Sequence, residues 1–149
     1  SYGNDQDWPM CGEIDILEYV GKEPDHIYAT IHYGESREGH KKDMGRYVTP
    51  SPFNDFHVYS IDWNSDKIEY FFDGFKYHTT QLDQAGAGEK NPLRQPFYLI
   101  LNLALGGSWG GEIDDAILPQ SYLIDYVRVY ERAEASPAAT AGQETAPPP

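Results

Sequence analysis

Asp73-Gly74, set between Phe72 and Phe75, limits the fold of this chain more than any other dipeptide in it. An Asp-Gly pair between apolar strands predicts a two-residue hairpin, because both positions tolerate positive φ. The segments on either side then become antiparallel neighbours. Residues 67–72 read KIEYFF, and 56–63 read FHVYSIDW, joined by the turn Asn64-Ser65-Asp66. Residues 56–79 are therefore expected to form a three-stranded meander. Residues 26–33, HIYATIHY, alternate in the same way. Ile27, Ala29, Ile31 and Tyr33 share one face, and His26, Tyr28, Thr30 and His32 share the other. The run 97–105, FYLILNLAL, has the length of a strand buried on both faces, although periodicity alone does not separate it from a helix, and stops at Gly106-Gly107. Residues 122–130, YLIDYVRVY, are rich in β-branched and aromatic side chains and read as a closing strand. No segment combines helical periodicity with caps. The pattern predicts an all-β sandwich of antiparallel sheets.

Composition narrows the partners. A chain of 149 residues is expected to hold one domain. Eleven Lys+Arg against 24 Asp+Glu give a formal net charge of −13, which repels phosphates and anionic lipid. Neither nucleic acid nor membrane is expected as a partner, and no apolar run approaches the ~18 residues of a transmembrane helix. The single cysteine, Cys11, excludes an internal disulfide and a cysteine-rich zinc site, and reads as a small hydrophobe. Residues 1–132 read as the folded domain. Residues 133–149, AEASPAATAGQETAPPP, contain no large apolar residue and read as a disordered tail or linker.

Residues 12–19, GEIDILEY, place three acids in an otherwise apolar strand. Strands disfavour Asp and Glu, and buried acids need partners. Alternation puts Glu13 and Asp15 on one face and Glu18 on the other. Glu18 joins them only if one extra residue bulges the strand between Asp15 and Glu18, a device that re-aims side chains beside active sites. Two carboxyls about 5–5.5 Å apart are what hydrolysis of a glycosidic bond with retention requires. Like charges at that range raise one pKa, which suits a proton donor. An edge strand guarded by charges, or a calcium site, would carry the same residues.

The motif WPMCGEIDILEYVG (8–21) resembles the catalytic strand of glycoside hydrolase family 16. Its Glu-x-Asp-x-x-Glu form is similar to the laminarinase, or endo-β-1,3-glucanase, branch. Further resemblance runs through ATIHYG (29–34), DFHVYSIDW (55–63), YFFDG (70–74), PFYLILNLALGGSWGG (96–111) and LPQSYLIDYVRVYER (118–132). The resemblance implies a β-jelly roll of two curved antiparallel sheets, like concanavalin A, with a glycan cleft on the concave face. The family usually has a long segment before this motif, so the chain is expected to be the C-terminal portion of a catalytic domain. By resemblance, Glu13 is the nucleophile, Glu18 the general acid/base and Asp15 the assisting carboxylate. The implied substrate is a β-1,3-glucan, which in turn implies secretion. No cofactor is implied for catalysis, and the chain is expected to act as a monomer. Family members cleaving mixed-linkage glucan, agar or carrageenan, and non-catalytic glucan-binding modules, are the alternatives.

Other residues fill out the expected cleft. Trp8, before Pro9 in a polar loop, and Trp109, between glycine pairs, each offer an indole face to a pyranose ring. Trp63, ending an alternating strand, reads as core. His32 reads as a surface histidine from its face alone, whereas the resemblance brings it from the neighbouring strand toward the acid/base. Asn102, inside an apolar strand, needs a hydrogen-bond partner, either structural or a sugar hydroxyl. Asp125 shares a face with Leu123 and Val127, and the resemblance implies a structural calcium ligand there. His40, Lys41, Lys42 and Arg46 read as solvated surface.

Overall fold

The chain turns at Asp73 and Gly74 with φ of 48° and 80°, the expected positive-φ pair. The computed structural model describes residues 1, 5–50 and 52–133. The hairpin joins β5 (Lys67–Phe72) to β6 (Phe75–Gln81), with Phe72 opposite Phe75. Asp73 also fixes the segment before β4 (Tyr59–Trp63). Its Oδ1 accepts from Val58 N–H at 2.8 Å, and its Oδ2 lies 2.7 Å from His57 Nδ1. In the β4–β5 turn, Asn64 Oδ1 accepts from the N–H groups of Asp66 and Lys67 at 2.9 and 3.1 Å. An Asx turn of this kind replaces the backbone pairing lost where the chain reverses. The meander starts at Tyr59, three residues later than the alternation suggested.

A second antiparallel sheet has the order β1 (Glu13–Glu18), β2 (His26–Tyr33), β3 (Lys41–Val48). The sequence reading did not foresee β3, because KKDMGRYV carries four charged residues and a glycine. It exists because β2 offers it a full eight-residue register, from His26–Val48 to Tyr33–Lys41.

The two sheets face each other across an apolar core. Ala29, Ile31 and Tyr33 from β2 meet Ile68 and Tyr70 from β5, with Leu82 and Leu93 closing one end. Burying each aliphatic side chain of this size contributes roughly 1.5–3 kcal/mol. At the β3–β6 edge the contact becomes polar. Asp43 Oδ2 accepts from Thr80 Oγ1 at 2.9 Å and from Gln84 Nε2 at 3.2 Å, and Asp43 Oδ1 lies 3.6 Å from His78 Nε2. Next to it, a Cβ placed on Gly45 would lie 2.2 Å from Cγ of His78, so only glycine fits there.

Two expected strands are not part of either sheet. Residues 97–105 and 122–130 run without ladder pairing, and Leu99, Ile100, Leu101, Leu123, Val127 and Val129 are each more than half exposed. A strand exists only through the backbone groups of a neighbour, and neither run has one among the described residues. The second run is tied by Arg132, whose Nη2 lies 2.8 Å from Asp62 Oδ2 on β4. The first touches the meander through Phe97, edge-on to Trp63 at 5.7 Å. Trp63 is thus 38% exposed rather than core. Cys11 is half-buried. Of the expected tail, residues 134–149 lie outside the described residues.

Candidate active site

The strand carrying the three acids is bulged where expected. Glu13 pairs with His32, Ile14 with Ile31 and Asp15 with Thr30, and then Glu18 pairs with Tyr28. Three steps along β1 match two along β2, so one residue is extra and Glu18 returns to the face of Glu13 and Asp15. The opposite face of β2 is the core, so the acids line the outer face of this sheet. Lys42, Met44 and Arg46 of β3, partners of His32, Thr30 and Tyr28, share that face and are exposed.

Each acid has a distinct setting. Glu13 Oε2 accepts from the Trp8 indole N–H at 2.6 Å. Glu18 Oε2 accepts from Thr30 Oγ1 in a short hydrogen bond, and Thr30 is itself buried. Asp15 is half-buried. Its Oδ2 is shielded from solvent and lies 3.4 Å from His32 Nε2, an ion contact without hydrogen-bond geometry. Burial pushes the Asp15 carboxyl up to about 6. His32 opposes that push, and the charges of Glu13 and Glu18 add to it.

His32 does more than the bland surface reading allows. The resemblance sends it toward the acid/base, but the structure sets it opposite Glu13 and against Asp15. The Asp15 carboxylate raises its imidazole above the ordinary range. Behind it stands His40, whose Nε2 is 2.8 Å from His32 Nδ1. Trp8 covers both rings, with centroids 5.9 Å from His32 and 4.6 Å from His40. His40 is therefore a half-buried member of the cluster and not solvated surface, whereas Lys41, Lys42 and Arg46 are exposed as read. Sequence reading missed His40 because it precedes β3 in a turn, where no periodicity reports a direction.

Trp109 reaches the other end of the acid strand. Its ring meets Tyr28, the partner of Glu18, edge-on at 5.2 Å, and its N–H points to Glu23 Oε1 at 3.4 Å. Asn102 and Asp125 do not join the cluster. Both lie in the unpaired runs and are exposed, so Asn102 has no need of a buried partner. Among the described residues no group of three His, Cys, Asp or Glu side chains gathers at Asp125. The set that does converge is Glu13, Asp15 and His32, with one atom of each within 4.8 Å of the others. Glu13 there is engaged by Trp8, and Asp15 lies against His32.

Residues 2–128 match the model of Glycosyl hydrolases family 16, and the chain belongs to that family. It is 37% identical over 134 residues to a β-glucanase of Rhodothermus marinus, covering 85% of this chain and 47% of that protein. It is 38% identical over 134 residues to glucan endo-1,3-β-glucosidase A1 of Niallia circulans, covering 83% of this chain and 20% of that protein. The X-ray structure of the laminarinase from Rhodothermus marinus superposes with a TM-score of 0.61 at 36% identity, over 74% of this chain and 46% of that one. The fold is that family's jelly roll, and the chain spans less than half the length of these relatives.

Proposed function

We propose that this protein hydrolyses internal β-1,3-glucosidic bonds of laminarin-type glucans with retention, through a covalent glycosyl-enzyme. The observation that supports this most is the one-residue bulge that puts Glu13, Asp15 and Glu18 on one open face. Similarity to a β-glucanase and a glucan endo-1,3-β-glucosidase supports the substrate class. Glu13, oriented by Trp8, attacks the anomeric carbon as the glycosidic C–O bond breaks. Glu18, held by Thr30, gives its proton to the departing oxygen, then takes one from the water that releases the sugar. Asp15, with a carboxyl near 6, exchanges a proton with His32 and steadies the charge on Glu13. Trp8 and Trp109 supply stacking surfaces at the two ends of the acid strand. A polymeric substrate that cannot enter cells makes secretion the natural setting, and no helix among the described residues is long and apolar enough to cross a membrane.

Reducing-sugar release from laminarin tests the reading, with Glu13→Gln and Glu18→Gln as controls. Each substitution is expected to lower turnover by roughly a thousandfold or more while the circular dichroism spectrum is kept. Unchanged hydrolysis by either variant would remove the assignment. Parallel digestion of lichenan, agarose and carrageenan separates the substrate classes.

A further inference from the structure

Glu23 lies outside the acid strand, in the turn between β1 and β2, and its carboxylate has two donors. The Tyr28 hydroxyl donates to Oε2 in a short hydrogen bond, and the Trp109 indole N–H donates to Oε1 at 3.4 Å. The turn that carries it is fixed by its own backbone. Glu23 N–H donates to the Val20 carbonyl, and His26 N–H donates to the Glu23 carbonyl, each at 3.0 Å. Trp109 sits in a single helical turn, Gly107–Gly110, closed by the Gly111 N–H donating to the Gly107 carbonyl at 2.9 Å. Gly106, Gly107 and Gly111, around and within that turn, have φ of 70°, 82° and 90°. Among the described residues, no other side chain hydrogen-bonds or ring-stacks with its indole. Glycines at these φ values leave the surrounding backbone permissive, and the Glu23–Tyr28 pair is the side-chain contact that fixes the indole.

We propose that Glu23 is a positioning residue for glycan binding: it pins the Trp109 indole against Tyr28, at the Glu18 end of the acid strand, so that the free indole face receives a pyranose ring. The inference rests on the reading of Trp109 as a sugar platform. A platform fixed before binding spares the ordering cost that a loose ring would incur on each encounter. The role predicts an effect on substrate binding with little effect on the chemical step, because Glu23 touches neither reacting carboxylate. Charge is not what the role needs. An indole N–H can only donate, whereas a tyrosine hydroxyl can also accept. A glutamine at this position therefore serves both partners, accepting from Trp109 and donating to Tyr28.

The test compares Glu23→Ala, Glu23→Gln and Tyr28→Phe in the full chain labelled with 5-fluorotryptophan. Fluorine NMR follows the Trp109 resonance, assigned through Trp109→Phe, and hydrolysis of laminarin gives KM and kcat. In Glu23→Ala the Trp109 resonance should move toward that of free indole. KM should rise about tenfold, the upper end of what one ordinary hydrogen bond contributes, with kcat within about twofold. Glu23→Gln should stay near the parent in both readouts. Tyr28→Phe keeps the ring under Trp109 and removes one donor, so it should give a smaller shift in the same direction. It carries the test if Glu23→Ala does not fold. An unmoved Trp109 resonance in Glu23→Ala or Tyr28→Phe overturns the proposal. So does a fall in kcat as large as the rise in KM, or a Glu23→Gln that behaves like Glu23→Ala. A parent Trp109 resonance that ignores added laminarihexaose would overturn it at the earlier step, by removing the platform itself.

Discussion

Glu18 sits opposite Tyr28, a place that an unbroken ladder running from Glu13–His32 would give to Leu17. That regular ladder would set Glu18 against Ile27, which is fully buried, and a carboxylate there would have no partner. The extra residue keeps the acid in the cleft and the core dry.

Deleting Leu17 should therefore be tolerated. The shortened strand pairs regularly, Ile16 faces Ala29, and the following glutamate still meets Tyr28. Retained laminarin hydrolysis is expected for this deletion. One alanine inserted after Ile16 should abolish it, because a regular strand then returns the acid to its face only opposite His26, about 7 Å from its place beside Tyr28. An inactive but folded deletion variant would mean that the bulge shapes more than the direction of Glu18.

Asp15→Asn should stabilise the protein and weaken catalysis. A carboxyl raised to about 6 in the folded chain favours folding fully below its ordinary value near 3.8, and that contribution is lost as pH rises through about 6. Asparagine has no such loss. The melting temperature of the variant should exceed the parent's at pH 7.5, with the gap closing toward pH 4. The raised imidazole of His32 limits the gain, since its contribution depends on Asp15. A gap that is constant across this range would contradict the burial cause.

His32→Gln should move the Asp15 titration to still higher pH, because it removes the largest influence that opposes burial. Carboxyl carbon NMR of Asp15 reads this directly. The limb of the pH–rate profile that moves with it belongs to Asp15. A titration that moves down would show that His32 acts on Asp15 other than by holding its anion.

Thr30→Val keeps the shape of a buried side chain but removes the donor to Glu18. Turnover is expected to fall roughly tenfold, about one hydrogen bond to a charged group, with KM little changed. Steady-state kinetics on laminarin measure both, and an unchanged kcat would remove Thr30 from the positioning of Glu18.

Much of this was legible in the residues. Asp73-Gly74 announced its hairpin because two positive φ values suit very few residues. The odd placement of Glu18 announced the bulge, because alternation allows only one way to gather three acids. The failures share a cause. Residues 97–105 and 122–130 have strand composition, but composition cannot say whether a neighbour is present to complete the ladder. Asn102 needs a buried partner only on that assumption, and in the unpaired run it is exposed. β3 was missed for the opposite reason, since its partner strand overrides a poor intrinsic preference. His40 and Glu23 come from turns, where direction is set by tertiary contact alone.

The notch at Gly45 has a consequence for how this sequence can drift. Any side chain there would overlap the ring of His78, which also faces Asp43 across the sheets. Gly45→Ala alone should destabilise the fold by about 1–3 kcal/mol, readable as a drop in melting temperature. Position 45 is thus free to enlarge only where position 78 becomes smaller. Across natural sequences of this architecture they should covary, a larger residue at one accompanied by a smaller one at the other, leaving a record of the sheet-to-sheet contact in lineages that no longer share either residue.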